Sequence, residues 1–250
     1  MGLLHFTLYA LLGAGAGVLI GWVGIGGVIL VPALVYGAGV PLSTAIAAAM
    51  CAFLISGIVG LYVFAKAGSV DWATAAWLCL GAAPAAFVGA RLVVIAPEAI
   101  IELAIGVLTA AAGIHALVRR DSRRNRESAS SVPTLTAVGA ATGLASAMTG
   151  TGGPLVLVPL LLWLEVPVLT AIASAQAIQI PIAAAATSAN VVGGTLDVML
   201  GLALGSGIAL GTAVGAKAAH ALPTAWLHSV VAVVLVLVGS GILLRLALGS

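Results

Sequence analysis

Charged side chains are the scarcest feature of this 250-residue sequence. It contains 9 lysines and arginines and 7 aspartates and glutamates, or 6% of the chain, against about 25% in a soluble protein. Because a soluble domain needs charges to cover its surface, the composition excludes a soluble enzyme and a disordered protein. A net charge of +2 also provides no basic patch for nucleic acid, so we predict no nucleic-acid partner.

Aromatic residues and cysteines are also few. Aromatics make up 5% of the chain, and a transmembrane β-barrel would show aromatic girdles and alternating segments that this sequence lacks. The two cysteines have no spacing typical of a zinc or haem site, so we predict no metal and no cofactor. No nucleophile–base pair or acid pair is evident, and we therefore predict that the protein is not an enzyme and has no catalytic residues.

Apolar length is what the chain has in abundance. Hydrophobic residues make up 62% of it, and residues 1–65 carry no charge. A membrane-spanning helix needs about 20 apolar residues, so these stretches predict helices joined by short turns. The predicted fold class is an all-α polytopic membrane protein, integral to the plasma or inner membrane and crossing it several times.

The two halves of the chain repeat each other at an offset of 126 positions. Gly24 matches Gly150 and Asp71 matches Asp197, with many further matches at glycine and proline. Internal repeats of this kind are typical of transporters, which place the substrate at the repeat interface. The chain thus divides into repeat 1, a linker and repeat 2, at residues 1–118, 119–133 and 134–250. Five arginines in the linker predict that it is cytoplasmic.

Each repeat is predicted to contain a first apolar segment, a short segment broken off by glycines, and three full spans. The first segments are 3–23 and 134–149, and the short segments are 28–36 and 154–164. The full spans are 43–66, 71–94 and 98–118, then 170–192, 197–219 and 224–247. Asp71 and Asp197 are expected to cap helices. Rows of small residues at four-residue spacing, such as Gly13, Gly17 and Gly21, predict close helix packing.

Two topologies are compatible with this pattern. If each short segment doubles back, each repeat crosses the membrane three times and the repeats are inverted. If it continues the first segment as one broken crossing, each repeat crosses four times and the repeats are parallel. We favour inversion, because half-length segments that meet at the midplane are common in inverted transporters.

The glycine clusters that break the apolar runs are the most informative residues. In lipid, backbone groups freed by a break must be buried in protein or line a cavity. A break also leaves a helix N-terminus inside the membrane, and its N–H groups attract anions. We predict that these clusters bind a small anion, the alternative being tight turns and close packing. The candidate residues are Gly24, Gly26, Gly27, Gly150, Thr151, Gly152 and Gly153.

The two clusters carry a resemblance to a known family. Gly-Ile-Gly-Gly-Val-Ile-Leu-Val-Pro at 24–32 and Gly-Thr-Gly-Gly-Pro-Leu-Val-Leu-Val-Pro at 150–159 resemble the sulfite exporter TauE/SafE family. The resemblance extends from about Leu8 to Leu246 and includes two similar halves and a basic central loop. It implies transport of small anions, mostly sulfite, organosulfonates and related sulfur compounds. One departure is Val28, where family members often have a third glycine.

Polar side chains within the predicted spans add further candidates. Gln176, Gln179 and Asn190 lie in repeat 2 where repeat 1 has apolar residues, namely Met50, Phe53 and Phe64. Neutral amides can donate to sulfonate oxygens without the desolvation cost of a charge, although hydrogen bonding between helices is an equal alternative. Arg91 and Lys217 occupy matching positions near span ends, where they either attract the anion or extend to the interface.

The function predicted from these features is a secondary transporter, an exporter of small anions such as sulfite or organosulfonates. An anion channel is the alternative, and a non-transporting membrane scaffold or an intramembrane enzyme is less well supported. No ATP-binding motif is present, so transport would be driven by gradients. The expected partners are the anion, the lipid bilayer and a coupling ion, H⁺ or Na⁺.

Overall fold

Helices make up all the regular structure in the part of the chain that the computed structural model describes, residues 3–24, 26–92, 98–118 and 131–248. In chain order they are α1 Leu3–Val23, α2 Gly27–Pro32, α3 Leu42–Lys66, α4 Trp72–Leu92, α5 Glu98–Val118, α6 Val132–Thr149, α7 Pro154–Trp163, α8 Val168–Val192, α9 Val198–Ala221 and α10 Thr224–Leu248. The predicted all-α fold is therefore confirmed.

Six described helices, α1, α3, α4, α8, α9 and α10, are long and apolar enough to cross a membrane. Their bounds lie close to the predicted ones. The predicted end of the second full span, residue 94, falls outside the described residues, as do residues 119–130 of the predicted linker.

The two short segments form as predicted, but they differ in shape. α7 is a regular helix of 10 residues. α2 has only 6 residues and continues as a π-helical turn, Ala33–Gly37. Pro32 closes α2, and because it lacks an N–H group it cannot donate the α-helical hydrogen bond at this point. A wider turn of this kind is a common response to a broken hydrogen-bond ladder.

The central helices α3 and α8 begin in the same way. Pro41 (φ −55°, ψ 139°) and Pro167 (φ −54°, ψ 138°) precede them in an extended conformation. Their carbonyl oxygens accept the N–H groups of Ala45 and Ala171 at 2.9 Å, and these bonds start the two helices. Matching prolines thus set the start of two helices that each contain 25 residues.

Aspartate caps begin α4 and α9, as predicted. Asp71 accepts the N–H groups of Ala73 and Thr74 at 3.1 and 3.2 Å and the Thr74 hydroxyl at 2.6 Å. Asp197 accepts the N–H of Leu200 at 3.0 Å. The Thr74 hydroxyl, assisted by the two N–H groups, holds the pKa of Asp71 below its ordinary value despite an opposing effect of burial.

The main helix contacts join one half of the chain to the other. α3 packs against α8 at the centre, α9 packs on α3, and α4 packs on α8. At the periphery α1 packs on α9, α6 on α4 and α5 on α10. Residues 1–118 and 134–250 are therefore interlocked, since the principal packing partner of each long helix belongs to the other half.

Glycines allow the backbones of the peripheral helices to approach each other closely. A methyl group on Gly17 of α1 would lie 2.9 Å from the Cα of Ile208 on α9, and one on Gly211 would meet the Ala14 carbonyl. α4 and α6 contact each other similarly, with Gly81 against the Thr136 carbonyl. The small-residue rows therefore serve helix packing, as predicted.

Residue contacts also give the direction of each packed pair. On α1 and α9, Gly13 lies beside Leu204 and Gly21 beside Thr212, so these two helices run parallel. On α5 and α10, Gly106 lies beside Leu243, whereas Gly113 lies beside Ala232. Because the partner number falls as the residue number rises, α5 and α10 run antiparallel.

The central helices α3 and α8 are also antiparallel, like α5 and α10. Phe53 of α3 contacts Gln179 of α8, and Gly60, nearly two turns further on, contacts Gln176. α3 and α8 are therefore antiparallel, and they cross near the middle of both helices.

Candidate functional site

The two glycine clusters, residues 24–27 and 150–154, meet in the interior of the helix bundle. They are called the first and the second glycine crossing from here on. A crevice lies between them and the middle of α3 and α8. Its lining consists of Ile20, Gly24, Gly27, Phe53, Thr151, Pro154, Leu155 and Gln179. The crevice is too narrow in this conformation to hold even a water molecule. A ligand would therefore require the helices around it to separate.

The first crossing contributes two glycines to this lining. Gly24 has a left-handed backbone (φ 82°) and lies against Val158. Gly27 begins α2, and a methyl group on it would come within 2.9 Å of both the Phe53 ring and the Thr151 carbonyl oxygen. Gly27 is thus the point at which one crossing touches the other, and only hydrogen leaves space there.

The second crossing has the more unusual backbone. Gly150, Gly152 and Gly153 all adopt positive φ, at 70°, 79° and 111°. Side chains rarely adopt these angles, so this sharp turn requires glycine. A methyl group on Gly152 would also lie 2.7 Å from the Phe53 ring.

This turn leaves three backbone donors next to the crevice without partners among the described residues, and one of them, the N–H of Leu155, belongs to a lining residue. The carbonyl of Gly153 accepts the N–H groups of Val156 and Leu157, both at 3.1 Å, which starts α7. The N–H groups of Gly152, Gly153 and Leu155 have no hydrogen-bond partner within residues that the structure describes. All three residues are buried. Buried N–H groups without partners are rare in proteins, and here they lie at the N-terminus of a helix.

A hydroxyl pair extends the polar lining. Thr149 Oγ1 donates to the Ala145 carbonyl at 2.8 Å and lies 2.9 Å from Thr151 Oγ1. Because the Thr149 proton is already used, the Thr151 hydroxyl donates to Thr149 in this arrangement. The Thr151 hydroxyl then has no proton left to donate to an anion, so its contribution is to hold the turn against Thr149.

The two glutamines of α8 have different surroundings, although both are fully buried. Gln179 Nε2 donates to the Phe53 carbonyl at 2.8 Å, and Gln179 lines the crevice. Gln176 Nε2 donates to the Ile20 carbonyl at 3.1 Å, and its side chain packs against Gly60. Gln176 is not part of the lining and connects α8 to α1 and α3. The Oε1 atoms of both amides have no hydrogen-bond partner among the described residues.

Comparison with known protein families gives a match. The family model described as sulfite exporter TauE/SafE matches residues 9–242. The chain belongs to the sulfite exporter TauE/SafE family. Neither the curated proteins nor the solved structures contain a match to it.

Membership of the TauE/SafE family gives the chain a general function. It is a multi-pass integral membrane protein of the anion-exporter type, and its environment is the lipid bilayer. The two glycine crossings, which carry the resemblance in sequence, both lie within the matched residues. The crevice described above is therefore the candidate substrate site of a TauE/SafE protein.

Several predicted site residues lie outside the crevice. Asn190 is eleven residues beyond Gln179 on α8, or about 16 Å along the helix axis, and it accepts the Thr195 hydroxyl at 3.3 Å. Lys217 is exposed on α9. Arg91 lies in the last turn of α4, and its side chain falls outside the described residues.

The remaining glycines of the two clusters support the lining from behind. Gly26 lies against the Ala16 carbonyl and Ile20 of α1. A methyl group on Gly150 would lie 3.1 Å from the Ile46 side chain, and one on Gly153 would lie 3.2 Å from the Ile182 side chain of α8.

Apolar residues complete the lining, and no sequence pattern pointed to them directly. Ile20, Phe53 and Leu155 resemble the many other apolar residues of these helices. Only the repeat offset distinguishes Phe53, because it is the position that corresponds to Gln179, and the two residues are hydrogen-bonded partners. This equivalence to Gln179 in the repeat was the one feature of the sequence that could have indicated Phe53.

Proposed function

We propose that this protein is a secondary transporter that exports small anions such as sulfite or organosulfonates, with the substrate held in the crevice between the glycine crossings. The observation that carries the proposal is the set of unpartnered N–H groups at Gly152, Gly153 and Leu155, buried where the two crossings meet. Oxyanions are the ligands that such donors favour.

The position of the crevice supports a site near the membrane midplane. Phe53 and Gln179 lie close to the middle of α3 and α8, which have 25 residues each and would span about 37 Å. A ligand between them would be remote from both membrane surfaces. It would also lie between the two repeats, where transporters of duplicated architecture bind substrate.

We also infer that the repeats are inverted. Two parallel four-crossing repeats would place α3 parallel to α8 and α5 parallel to α10. The contacts of both pairs are instead antiparallel, and α1 is parallel to α9. These directions agree with short segments that double back, so that each repeat crosses the membrane three times.

A narrow crevice favours a transporter over a channel. A channel needs a continuous wet path when open, whereas alternating access closes the site on each side in turn. The crevice has no space for water in this conformation, which agrees with an occluded state. A gradient of H⁺ or Na⁺ would drive the opening and closing.

The test is flux of radiolabelled sulfite into proteoliposomes, comparing wild type with Gly27→Ala and Gly37→Ala. Gly27→Ala places a methyl group between Phe53 and Thr151, and we expect transport to be lost. Gly37 belongs to the same helical segment but has open space around it, so Gly37→Ala should transport normally. Flux that fails to saturate with sulfite would indicate a channel, and equal flux in both variants would place the substrate elsewhere.

The topology has its own test. In a background with Cys51→Ala and Cys79→Ala, a cysteine at Ser250 is compared with one in the arginine-rich linker. The inverted arrangement places these two positions on opposite sides of the membrane. Labelling of both from the same side by an impermeant thiol reagent would exclude it.

A further inference from the structure

We propose that the crevice binds its anion in a singly charged, protonated form, so that the substrate is hydrogen sulfite and not the sulfite dianion. This inference rests on the proposed function and adds the protonation state of the substrate. It follows from one unpartnered acceptor, from the absence of any charge in the lining, and from the donors opposite.

The acceptor is the amide oxygen of Gln179. Because the Phe53 carbonyl can only accept a hydrogen bond, the NH₂ group of Gln179 must face it, at 2.8 Å. Oε1 is therefore directed away from Phe53, and it has no partner among the described residues although the side chain is only 1% exposed. A fully deprotonated oxyanion has only acceptors and would be repelled by Oε1. A ligand hydroxyl would satisfy it.

The lining also contains no charge to balance a dianion. All eight lining residues are neutral, and five of them are glycine, proline or aliphatic. The cost of transferring an ion from water into such surroundings rises with the square of its charge, so a dianion would cost about four times as much as a monoanion. Backbone N–H groups and one amide can offset the smaller cost far more readily.

No protein group at the crevice would titrate in place of the ligand. The helices that surround it and those packed against them do carry titratable or charged side chains, and none of those that the structure describes lines the crevice. They include His5, Tyr9, Tyr36, Cys51, Tyr62 and Lys66 on α1, the π-helical turn and α3, and Cys79, Arg91, Lys217, His220, His228 and Arg245 on α4, α9 and α10. The described residues of α6, α7 and α8 include no titratable side chain. A pH dependence of binding would therefore come from the anion itself.

Hydrogen sulfite offers both kinds of group that this arrangement requires. Its two unprotonated oxygens would accept from among the N–H groups of Gly152, Gly153 and Leu155, and its hydroxyl would donate to Gln179 Oε1. Sulfate is a dianion without a hydroxyl at neutral pH, so it has neither the single negative charge nor the hydroxyl donor that the crevice favours. An alkylsulfonate has the right charge but no hydroxyl on its sulfur, so it would bind more weakly.

The test is equilibrium binding to wild-type protein in nanodiscs, where no pH gradient exists. Radiolabelled sulfite is the probe, and methylphosphonate and methanesulfonate are competitors of the same shape. Above the pKa of hydrogen sulfite, which lies near neutral pH, we expect the apparent Kd for total sulfite to rise about tenfold per pH unit. Methylphosphonate should weaken in the same way above its own second pKa. Methanesulfonate, a permanent monoanion, should show no pH dependence.

A variant separates the hydrogen bond from the charge. Gln179→Met removes the acceptor at similar size, and we expect it to weaken hydrogen sulfite and singly charged methylphosphonate about tenfold. Its affinity for methanesulfonate, which has only acceptors, should rise instead, because the variant removes the repulsion from Oε1. Gln176→Met is the matched control, because it removes the other buried amide of α8 and should preserve the preference among the ligands.

Each other outcome has a definite meaning. Sulfite affinity that stays constant or increases with pH would show that the dianion binds, which overturns the inference. Loss of affinity for all three ligands at one common pH would assign the titration to a protein group and overturn it as well. If no anion binds at any pH, the proposed function itself fails, and not only the choice of protonation state.

Discussion

The two glycine crossings occupy matching places in the sequence, yet the matched glycines Gly26 and Gly152 are required for different reasons. In the second crossing Gly150, Gly152 and Gly153 all have positive φ, so the requirement is conformational. The first crossing shares this property at Gly24 (φ 82°), whereas Gly26 has an ordinary helical backbone, with φ −90°. It lies so close to the Ala16 carbonyl that no side chain fits, so the requirement there is for space.

The short helices that follow the two crossings also differ in how deeply they are buried. α7 is almost wholly buried, including Pro154, Leu157 and Leu161. α2 has its outer face open, with Ile29 exposed. The second crossing is thus a turn of positive-φ glycines within a packed core, whereas the first lies against α1 with one face exposed. If the proposed function holds, the second crossing would present the anion donors and the first would close the crevice over them.

The largest expected effect comes from Gly152→Val. The side chain would force a left-handed backbone on a β-branched residue, at about 1–3 kcal/mol, and would collide with Phe53. We expect sulfite transport in proteoliposomes to be abolished. Gly194→Val is the control, because Gly194 has a similar φ of 68° but open space around it. Equal loss in both variants would show that backbone strain, and not the crevice, is responsible.

Gly26→Val should fail in a different way, which sharpens the comparison. Its side chain would meet backbone atoms of Ala16 and Ile20, so we expect reduced yield of monodisperse protein in size-exclusion chromatography. Normal yield with abolished transport would instead give Gly26 the same role as Gly152.

The two glutamines are expected to separate binding from stability. Gln179→Leu should weaken sulfite binding by about 5- to 150-fold, corresponding to ~1–3 kcal/mol for a lost amide partner. Gln176→Leu should lower the melting temperature, because Gln176 bridges α8 to the Ile20 carbonyl and packs on Gly60. Binding and thermal melts on both variants test this, and a reversed pattern would exchange the two roles.

Thr151→Val probes the hydroxyl of the second crossing alone. It keeps the shape of the side chain and removes the bond to Thr149, so we expect a smaller loss of affinity, about 3- to 10-fold. Thr149→Val removes the same bond from the other side without changing a lining residue. Equal affinity losses in the two variants would show that Thr151 acts only through Thr149.

Lys217→Ala tests whether the matched basic residues act on the anion. Lys217 is exposed and lies outside the crevice lining, so we expect the Kd of the Lys217→Ala variant for sulfite to stay within about twofold of wild type. Arg91→Ala is compared with it, since anion attraction was predicted for both. A larger loss in Lys217→Ala would indicate that the pathway to the crevice passes that face of α9.

The smallest expected effect concerns the aspartate caps of the two repeats. Because the pKa of Asp71 is depressed in the folded state, its contribution to stability is present above the pKa of an unfolded aspartate and is lost as pH falls through the folded value. Asp71→Asn should lower the melting temperature slightly at neutral pH, where the charge contributes, and should remove this part of its fall at acidic pH. Thr74→Val should act in the same direction, since the Thr74 hydroxyl is the main cause of the lowered pKa.

Much of the fold was predictable because lipid imposes simple rules on sequence. The helices α3, α5, α8 and α10 lie within about two residues of their predicted bounds. Long uncharged stretches determine which segments become spanning helices, and the prolines and aspartates at their ends determine where these helices begin. The π-helical turn at Ala33–Gly37 was not predicted, since it depends on how Pro32 is accommodated.

The candidate site was only partly predictable. Four of the predicted site residues, Gly24, Gly27, Thr151 and Gln179, belong to the crevice lining. Apart from Arg91, whose side chain falls outside the described residues, the other predicted residues are not part of it, namely Gly26, Gly150, Gly152, Gly153, Gln176, Asn190 and Lys217. Polarity in an apolar span marks a residue as unusual but does not distinguish a ligand contact from a bond between helices. Gln176 and Gln179, three residues apart on one helix, show both outcomes.

The sequence by itself determined that the chain crosses a membrane as helices, that its apolar runs break at two glycine clusters, and which family it belongs to. These properties follow from local composition and spacing. Only the tertiary structure decided that the two clusters touch each other, that α3 and α8 cross antiparallel between them, and that Phe53 stands opposite Gln179. The physical reason is that helix contacts depend on packing between residues more than a hundred positions apart, which no local pattern specifies.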